Sequence, residues 1–299
     1  MKKVIVTGGA GFIGSHLVDA LVGRGFDVHV IDNLSSGKRK YINKKAHFHD
    51  VDIRNLDKLT PIFEGGTYVF HVAALPSVQY SIENPIETNE VNVGGTLNVL
   101  HAALDGGVRK VIYSASCSAY GDQTTFPLRE DMLVSPQSPY GLQKYIGELY
   151  CRVFSEVYRL PTISLRYFNV YGSRHDPEGS YAFVIGKFLQ QFREGKPMTI
   201  TGDGEQTRDF IHVRDVVHAN LLAMENEKMG SGEVINIGDG NNVSINELAR
   251  LIGGPIEYIS PRIEPKHTQA DNTKARKLLG WEPKVPFEEG ISALREMVS

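Results

Sequence analysis

A glycine-rich segment between two short apolar runs, residues 3–33, constrains the fold of this chain more than any other feature of its sequence. Residues 4–6 are typical of a buried parallel strand, and four glycines follow within residues 8–14. A helical pattern of apolar residues comes next, and a second apolar run, residues 28–31, ends at Asp32. This order predicts a right-handed strand–helix–strand unit of a parallel sheet.

The glycine turn indicates a dinucleotide-binding site. Glycines let the backbone turn sharply and bring the N–H groups of a helix N-terminus close to a pyrophosphate. Asp32 follows about 20 residues later, the spacing typical of an acid that accepts hydrogen bonds from the adenosine ribose. Because its carboxylate would repel a 2′-phosphate, we predict NAD rather than NADP. A glycine turn without a ligand is the alternative, and the flanking strands and Asp32 count against it.

Composition excludes several other classes of protein. With 32 basic and 35 acidic residues and a net charge of -3, the chain has no basic excess, so we expect no nucleic-acid partner. No run approaches the ~20 apolar residues of a membrane span, and the first glycine comes too early for a signal peptide. Cys117 and Cys151 are too few for a disulfide framework or a cysteine-rich metal site. We therefore predict a cytoplasmic protein without a metal.

Further apolar runs predict the rest of an α/β fold. They lie at residues 46–51, 68–74, 110–114, 161–166 and 233–238. Helical patterns between them predict a doubly wound parallel sheet. The alternation breaks after residue 166, so we predict a dinucleotide-binding domain of residues 1–166 plus about 210–252. A smaller, discontinuous C-terminal substrate domain would take about 167–209 plus 253–299.

Two local features, a histidine in an apolar run and a glycine pair in a helix, predict structural details. His71 lies inside an apolar run, which favours a hydrogen-bonded core histidine over a ligand. A helix predicted over residues 85–104 contains Gly94 and Gly95, and because glycine costs about 1 kcal/mol in a helix interior, the pair indicates close packing.

Ser116, Tyr140 and Lys144 are the candidate catalytic residues. Ser138 as N-cap and Pro139 at the first helical position predict a helix start, which places Tyr140 and Lys144 on one helix face. Ser116 follows the fifth strand, at the edge of the sheet where doubly wound folds bind ligands. An ordinary surface tyrosine and lysine are the alternative, and the upstream nucleotide loop counts against it.

Together these motifs resemble the extended short-chain dehydrogenase/reductases of the NAD-dependent epimerase/dehydratase type, and most of all the UDP-sugar 4-epimerases. The matching segments are TGGAGFIG at 7–14, Asp32, Ser116, Tyr140-x-x-x-Lys144 and RYFN at 166–169. The resemblance implies a seven-stranded Rossmann sheet that holds NAD and a smaller C-terminal domain that holds the nucleotide sugar. It also implies a homodimer that pairs the helix carrying Tyr140.

The resemblance assigns contacts residue by residue. Cofactor contacts map to Gly8, Gly11, Phe12, Ile13, Gly14, Asp32, Asn33, Ser36, Gly37, Asp52, Ile53, Val72, Ala73, Ala74, Asn92, Ser114, Tyr140, Lys144 and Tyr167. For Asp52, which would meet the adenine amino group, a solvated loop acid is an equal alternative. Nucleotide-sugar contacts map to Ser116, Asn169, Arg208, Arg262 and Glu264.

Two of these contacts are arginines suited to a diphosphate. Arg208 and Arg262 can bind it bidentately, and Glu264 can accept from ribose hydroxyls. Surface ion pairs are the alternative for each arginine. The family usually has two residues between the second arginine and the acid, whereas this chain has only Ile263.

The implied reaction is the interconversion of UDP-glucose and UDP-galactose through a 4-keto sugar. The related 4,6-dehydratases place Asp-Glu, and the decarboxylases a Glu, just before the Tyr-Gly that matches Tyr120–Gly121. Here Cys117 and Ser118 stand there, so a second acid or base is missing. A net oxidoreductase that releases NADH and a non-catalytic NAD-sensing protein stay open as alternatives.

In this mechanism Tyr140 is the base, Ser116 binds the sugar oxygen and Lys144 lowers the pKa of Tyr140. Bringing a tyrosine from its usual pKa of about 10 to 7 takes about 4 kcal/mol. One ammonium ~6 Å away supplies roughly 2.8 kcal/mol at an effective dielectric of ~20. We therefore expect the positive nicotinamide ring to supply a comparable amount.

Thr268 is the candidate determinant of sugar choice. In the family, the position three residues before the acid that matches Asp271 lies beside the C2 substituent of the sugar. Since Thr268 lacks an aromatic ring, we predict that UDP-N-acetylhexosamines are accepted as well. A threonine that only packs against its loop is the alternative.

Overall fold

The structure, a computed structural model, describes residues 1–175, 184–261 and 266–298. Within these ranges the strands are β1 (Lys3–Thr7), β2 (Asp27–Asp32), β3 (His47–Asp50), β4 (Tyr68–His71), β5 (Lys110–Ser116), β6 (Thr162–Tyr167), β7 (Asn169–Tyr171), β8 (Met198–Thr201), β9 (Thr207–Arg208), β10 (Phe210–His212), β11 (Ser231–Ile237), β12 (Val243–Ser244) and β13 (Ile256–Ile259). The α-helices are α1 (Phe12–Gly23), α2 (Leu56–Phe63), α3 (Val78–Glu83), α4 (Pro85–Asn89), α5 (Thr96–Asp105), α6 (Pro139–Tyr158), α7 (Val184–Arg193), α8 (Val213–Glu225), α9 (Ile245–Ile252), α10 (Thr273–Leu279) and α11 (Phe287–Val298).

Seven parallel strands form the central sheet of the described chain, in the order β11-β6-β5-β4-β1-β2-β3. The order reverses between β1 and β4, which places a crevice at the carboxyl ends of these two strands. All the apolar runs predicted as strands lie in this sheet, although the third strand is shorter than predicted and ends at Asp50. The doubly wound α/β fold is thus confirmed.

Helices cover both faces of the sheet because successive strand residues point to opposite sides. Val4 and Val6 pack in the cluster beneath α1 and α8, whereas Ile5 packs in the cluster that includes residues of α2, α5 and α6. Val4, Ile5 and Val6 have no exposed surface, as expected for a parallel strand buried on both faces.

A second, smaller packing unit forms around α7, α9, α11 and the parallel pair β8–β13. The predicted domain boundaries stay a prediction, but two segments pack with a different unit from the one to which the prediction assigned them. Helix α9 contributes Leu248 to the smaller unit, and α10 and the fully buried Trp281 pack against the sheet.

The expectation for His71 agrees with the structure, whereas close packing is found at Gly95 but not at Gly94, where a Cβ would meet nothing within 4 Å. His71 is a core histidine, whose ring nitrogens lie 2.7 Å from Thr7 Oγ1 and 2.9 Å from Thr96 Oγ1. The helix over residues 85–104 runs as α4, a π-helical turn and α5, and a Cβ on Gly95 would lie 2.5 Å from Ile53. None of the helices in the described ranges combines the length and apolar character of a membrane span.

Candidate active site

A cleft of about 2090 Å³ follows the carboxyl ends of the sheet strands and continues toward the smaller unit. We call the part lined by the ends of β1, β2, β4 and β5 the sheet half, and the part around Asn169, Arg208 and Thr268 the loop half. The predicted site residues that line the cleft are Gly8, Gly11, Phe12, Ile13, Gly14, Asp32, Asn33, Ser36, Gly37, Asp52, Ile53, Val72, Ala73, Ala74, Ser114, Ser116, Tyr140, Lys144, Tyr167, Asn169, Arg208 and Thr268. Asn92 does not line it, and Arg262 and Glu264 lie outside the described residues.

The glycine turn forms an anion cradle at the start of α1. Gly8 has a φ of +71°, and a Cβ there would lie 2.7 Å from the backbone nitrogen of Ala73. A Cβ on Gly14 would lie 2.1 Å from the carbonyl oxygen of Gly8. The N-cap Gly11 offers no side-chain acceptor to the first N–H groups of α1, and the first turn contains no acid. The turn therefore fits the pyrophosphate of a dinucleotide.

Asp32 is held in place by two backbone donors. Its Oδ2 accepts from Ala10 N–H at 2.9 Å, and its Oδ1 accepts from Leu34 N–H at 2.8 Å. Burial raises the pKa of this carboxyl, although both hydrogen bonds oppose the rise. Gly37 allows the close approach, because a Cβ there would lie 2.9 Å from Oδ1. Each oxygen keeps a lone pair for a ribose hydroxyl, so the site fits NAD.

Asp52 lies at the end of the sheet half in an ion pair. Its Oδ2 accepts from Arg54 Nη2 at 2.7 Å and from Asn33 Nδ2 at 2.9 Å. The hydrogen bonds from Arg54 hold the pKa of Asp52 below its usual range. The ion pair with Arg54 is thus a third role for Asp52, beside the adenine contact and the solvated loop acid. The contact with adenine stays a prediction.

Asn92 lies behind the cleft wall. Its Oδ1 accepts from Leu75 N–H at 2.8 Å, and its Nδ2 donates to Leu75 O at 3.1 Å and to Gln143 Oε1 at 2.8 Å. These bonds use the whole side-chain amide to fix the segment that follows β4. The predicted direct cofactor contact stays a prediction, and the observed contacts are those of a positioning residue.

The three candidate catalytic side chains converge where β5 meets α6. Ser138 caps α6 by accepting from Gly141 N–H at 3.1 Å, as predicted, which places Tyr140 and Lys144 on the inner face. Lys144 Nζ donates to the carbonyl oxygen of Ser114 at 2.8 Å. The hydroxyl of Ser116, the last residue of β5, interacts with that of Tyr140 and acts to lower its pKa.

Burial dominates the protonation of this group. It raises the pKa of Tyr140 to about 12, although the interaction with Ser116 opposes the rise. It also lowers the pKa of Lys144 to about 8. At pH 7 Tyr140 is therefore protonated and Lys144 is mostly charged. Bringing the tyrosine from a pKa of about 12 to 7 takes about 7 kcal/mol, so the 4 kcal/mol expected from a free tyrosine is too low.

A buried ion pair supports the catalytic helix from behind. Glu148, one turn after Lys144, accepts from Arg166 Nε at 2.8 Å and from Arg166 Nη2 at 2.6 Å. The guanidinium also lies 4.6 Å from the ring centre of Tyr120. Sequence reasoning missed Glu148, although an acid four residues after Lys144 and an arginine in a buried strand could have suggested the pair.

Cys117 and Ser118 occupy the positions that the family resemblance makes acidic in the dehydratases and decarboxylases. Cys117 lines the cleft directly after Ser116. Burial raises the pKa of its thiol to about 12, so that the thiol cannot exchange protons readily near neutral pH. Ser118, which also lines the cleft, accepts a hydrogen bond from Ser116 Oγ at 3.1 Å.

Thr268 links the segments of the loop half. Its Oγ1 accepts from Asn169 Nδ2 at 3.3 Å and from the backbone N–H of Asp209 at 3.2 Å. With both lone pairs occupied, the hydroxyl keeps only its proton to donate to a ligand. Arg208 lies beside them on β9, and its Nη1 donates to the carbonyl oxygen of Thr207 at 2.9 Å.

Sequence reasoning also missed residues that line the cleft from outside the motifs. Arg174, at a φ of +66°, donates to Asp19 at 2.6 Å and lies 5.9 Å from the ring centre of Tyr41. Gln206 approaches from the segment before β9. No sequence signal marks them, because only the folded chain brings their loops to the cleft.

Comparison with known proteins agrees with this site. Residues 4–238 match the model of the NAD dependent epimerase/dehydratase family. A putative UDP-glucose 4-epimerase of Methanocaldococcus jannaschii is 40% identical, over 96% of this chain and 95% of that protein. The crystal structure of the Thermotoga maritima UDP-glucose 4-epimerase, solved with UDP-glucose, superposes with a TM-score of 0.94 at 42% identity, covering 98% of this chain and 97% of that one.

Other relatives act on different nucleotide sugars. The UDP-N-acetylglucosamine 4-epimerase of Methanobrevibacter ruminantium, solved with UDP-N-acetylmuramic acid, has a TM-score of 0.93 at 39% identity, covering 99% of this chain and 97% of that one. The UDP-N-acetyl-alpha-D-glucosaminuronate decarboxylase of Bacillus cytotoxicus is 36% identical, over 97% of this chain and 95% of that protein. Similarity alone therefore does not distinguish the reactions.

Proposed function

The chain belongs to the NAD-dependent epimerase/dehydratase family of enzymes, and we propose that within it the chain is a UDP-hexose 4-epimerase. Its substrates would be UDP-glucose and UDP-galactose, and also the UDP-N-acetylhexosamine pair. One observation carries the proposal: Ser116 and Tyr140 form a proton-transfer group, and the neighbouring positions hold Cys117 and Ser118 instead of acids. Elimination and decarboxylation need a further acid or base there, whereas oxidation and re-reduction at one carbon do not.

The sheet half fits NAD, with the pyrophosphate at the cradle of residues 8–14 and the adenosine ribose at Asp32. When bound, NAD supplies the acceptance and return of a hydride. The role of the protein is then to hold the proton of the C4 hydroxyl, to orient the sugar and to exclude water.

Tyr140 is the proton acceptor in this proposal. Its oxygen takes the proton of the C4 hydroxyl as the sugar is oxidised and returns it as the sugar is reduced. Ser116 is positioned to hydrogen-bond the same sugar oxygen. Because burial raises the pKa of Tyr140 to about 12, the tyrosinate forms only with positive charge nearby. The Lys144 ammonium supplies part of this positive charge, and the nicotinamide ring of bound NAD would supply the rest. Proton removal therefore depends on a loaded cofactor site.

The loop half anchors the nucleotide and leaves the hexose free to turn over. Arg208 would bind the diphosphate, and Asn169 and Thr268 would face the sugar. Arg262 and Glu264 stay proposed uridine-side contacts on the strength of the family resemblance. Turnover of the 4-keto sugar needs binding energy on the nucleotide rather than on the hexose, which is why charged residues on the diphosphate suit the reaction.

We also propose a homodimer formed by α6. Leu142, Val153 and Val157 on this helix are 48%, 42% and 64% exposed, and their spacing of eleven and four residues places them on one helix face, as in an apolar contact surface. Light scattering on the eluting protein gives the mass directly: two chains support the pairing, and one chain refutes it. A cytoplasmic location stays a prediction from the sequence.

Product analysis tests the proposed reaction. The purified protein is incubated separately with UDP-galactose, UDP-N-acetylglucosamine and UDP-glucuronate, and the products and the absorbance at 340 nm are followed. We expect 4-epimers of the first two and no net NADH. Net NADH would indicate an oxidoreductase, a pentose product from UDP-glucuronate a decarboxylase, and no conversion a binding protein.

A further inference from the structure

Three histidines form a ladder on the edge strand β3 and its neighbour β2, at the ends opposite the cleft. His29 of β2 pairs in register with His47 of β3, and His49 follows two residues later on the same face. Asp27, at the start of β2, lies on that face next to His29. None of the four lines the cleft, and the proposed reaction uses none of them.

The side chains point their ligand atoms toward one spot. Asp27 Oδ1 lies 3.1 Å from His47 Nε2, and Asp27 Oδ2 lies 3.6 Å from His29 Nε2. One ligand atom from each of these residues lies within 4.8 Å of the others, and within the described chain this is the only group of three or more such residues. His29 Nδ1 lies 2.9 Å from His49 Nε2.

We propose that Asp27, His29 and His47 bind one divalent transition-metal ion, Zn²⁺ being the natural candidate, and that His49 orients His29 by accepting its Nδ1 proton. The sequence predicted no metal site, because the cysteines are few and the donors come from two strands that only the sheet brings together.

The donor set fits the chemistry of zinc. Two imidazole nitrogens and one carboxylate oxygen, with a water in the fourth position, form a common tetrahedral set at about 2.0–2.2 Å from the metal. Donor atoms in such a set are about 3.4 Å apart, close to the two distances measured from Asp27. His47 is the most exposed of the three, with 62% of its side chain accessible, so it can turn toward the ion without disturbing the core.

The hydrogen bond between His29 and His49 has the form that metal sites use behind their ligands. A ligating histidine usually donates its other N–H to a fixed acceptor, which sets the tautomer and the ring direction. In the proposed site the half-buried His49 is the acceptor, and its ring lies nearly parallel to that of His29, with 5.2 Å between the ring centres. An ion-free histidine–aspartate pair does not need this second partner.

The charges around the proposed ligands include one that opposes cation binding and one that favours it. The nearby Lys3 ammonium acts on His29 and His49, and the Asp27 carboxylate opposes it at His29. Lys3 also repels a cation, but its Nζ donates to the carbonyl oxygen of Glu64 at 3.0 Å, and the carboxylate of Asp27 offsets its charge.

A bound ion would tie β3 to the sheet. Among the described residues this strand pairs only with β2, which leaves its other edge without a described neighbour. The opposite ends of the two strands carry Asp32 and lead to Asp52, both in the sheet half of the cleft. We expect the ion to stabilise this edge without taking part in the reaction.

Zinc titration of the untagged, chelator-treated full-length protein tests the site. Calorimetry with Zn²⁺ alone should give one site per chain in the wild type. His29→Ala, His47→Ala and Asp27→Asn should each weaken binding at least about tenfold, and His49→Ala by about tenfold. The matched control is His101→Ala, since His101 forms an exposed pair with Asp105 at 3.0 Å and should leave the affinity unchanged. Added Zn²⁺ should raise the Tm of the wild type and the control but not of His47→Ala.

Co²⁺ gives an independent readout, because intense visible absorption bands indicate tetrahedral nitrogen and oxygen ligands. If His29→Ala does not fold, the variants His47→Ala and His47→Gln still test the metal site. His47 is exposed, so its replacement leaves the core intact. Absence of saturable Zn²⁺ binding in the wild type, or unchanged affinity in both His47 variants, overturns the proposal.

Discussion

The sheet half and the loop half of the cleft hold their polar groups in different ways. In the sheet half, neighbouring strand ends supply the residues, and backbone N–H groups fix the key acid, as Ala10 and Leu34 do for Asp32. In the loop half, Asn169 and Thr268 come from segments far apart in the chain, and the Thr268 hydroxyl joins them by accepting from the Asn169 side chain and from the backbone N–H of Asp209.

This contrast explains why the sheet half can stay constant among related proteins while the loop half changes. Moving a strand end disturbs the whole sheet, whereas a loop residue can be exchanged at the cost of one or two hydrogen bonds, each contributing about 1 kcal/mol. The relatives differ accordingly in the sugar named for them. We therefore expect substitutions in the sheet half to affect chemistry and cofactor binding, and those in the loop half to affect substrate choice.

Tyr140→Phe should have the largest effect, because it removes the proton acceptor and keeps the ring. We expect kcat to fall by about 10²–10⁴-fold while NAD stays bound, measured by UDP-galactose turnover and by cofactor content. Tyr171→Phe is the control: this hydroxyl is also buried and has no hydrogen-bond partner in the described structure. A kcat of Tyr140→Phe within tenfold of the wild type would exclude Tyr140 as the base.

Thr268→Tyr should change substrate choice and leave the cofactor alone. A ring at this position would fill the space of an N-acetyl group, so kcat/KM for UDP-N-acetylglucosamine should fall about 10–200-fold more than that for UDP-glucose. Thr268→Ser, which keeps the hydroxyl bonded to Asn169, should retain both activities. Equal losses on both substrates, or no activity of the wild type on the acetylated one, would rule out Thr268 as the determinant.

Asp32→Ala should weaken NAD binding by about 1–3 kcal/mol, the scale of lost hydrogen bonds to a charged acceptor. The difference in affinity between NAD and NADP should narrow, because the charge that repels a 2′-phosphate is gone. Calorimetric titration of both cofactors gives the two affinities. Asp50→Asn is the control, because Asp50 pairs in register with Asp32 at the exposed end of β3. Equal affinity of the wild type for both cofactors would refute the ribose assignment.

The smallest effect concerns pH. Burial lowers the pKa of Lys144 to about 8, so the ammonium is present below that pH and is lost above it. Since the reaction needs this charge, kcat should fall as the pH rises through 8, reaching about a tenfold loss one pH unit higher. Circular dichroism at each pH separates this fall from unfolding. A kcat that stays level from pH 7 to 10 would show that Lys144 keeps its proton or that its charge is not needed.

Much of the sheet half could be predicted because its signals are local. The β1–α1–β2 unit, its glycines and Asp32 lie within residues 3–33, and the start of α6 follows from Ser138 and Pro139 alone. The pKa of Tyr140 could not be predicted, since burial depends on the packing of α6 against β5 rather than on sequence.

The loop half shows where sequence reasoning ends. Asn169 and Thr268 are 99 residues apart, and their contact depends on backbone pairing between Thr207 and Lys266. These residues were named from a family resemblance and not from spacing. The histidine ladder was missed for the same reason, because His29 and His47 meet only through the pairing of β2 with β3.

The central claim, that one sugar carbon is oxidised and reduced without release of the hydride, can be tested with UDP-galactose deuterated at C4. The enzyme is incubated with this substrate and excess free NAD, and the UDP-glucose formed is examined by mass spectrometry. If the hydride stays in the site, the product keeps its deuterium at C4 and free NAD gains none. Product without the label, or deuterium in the free cofactor pool, would contradict it.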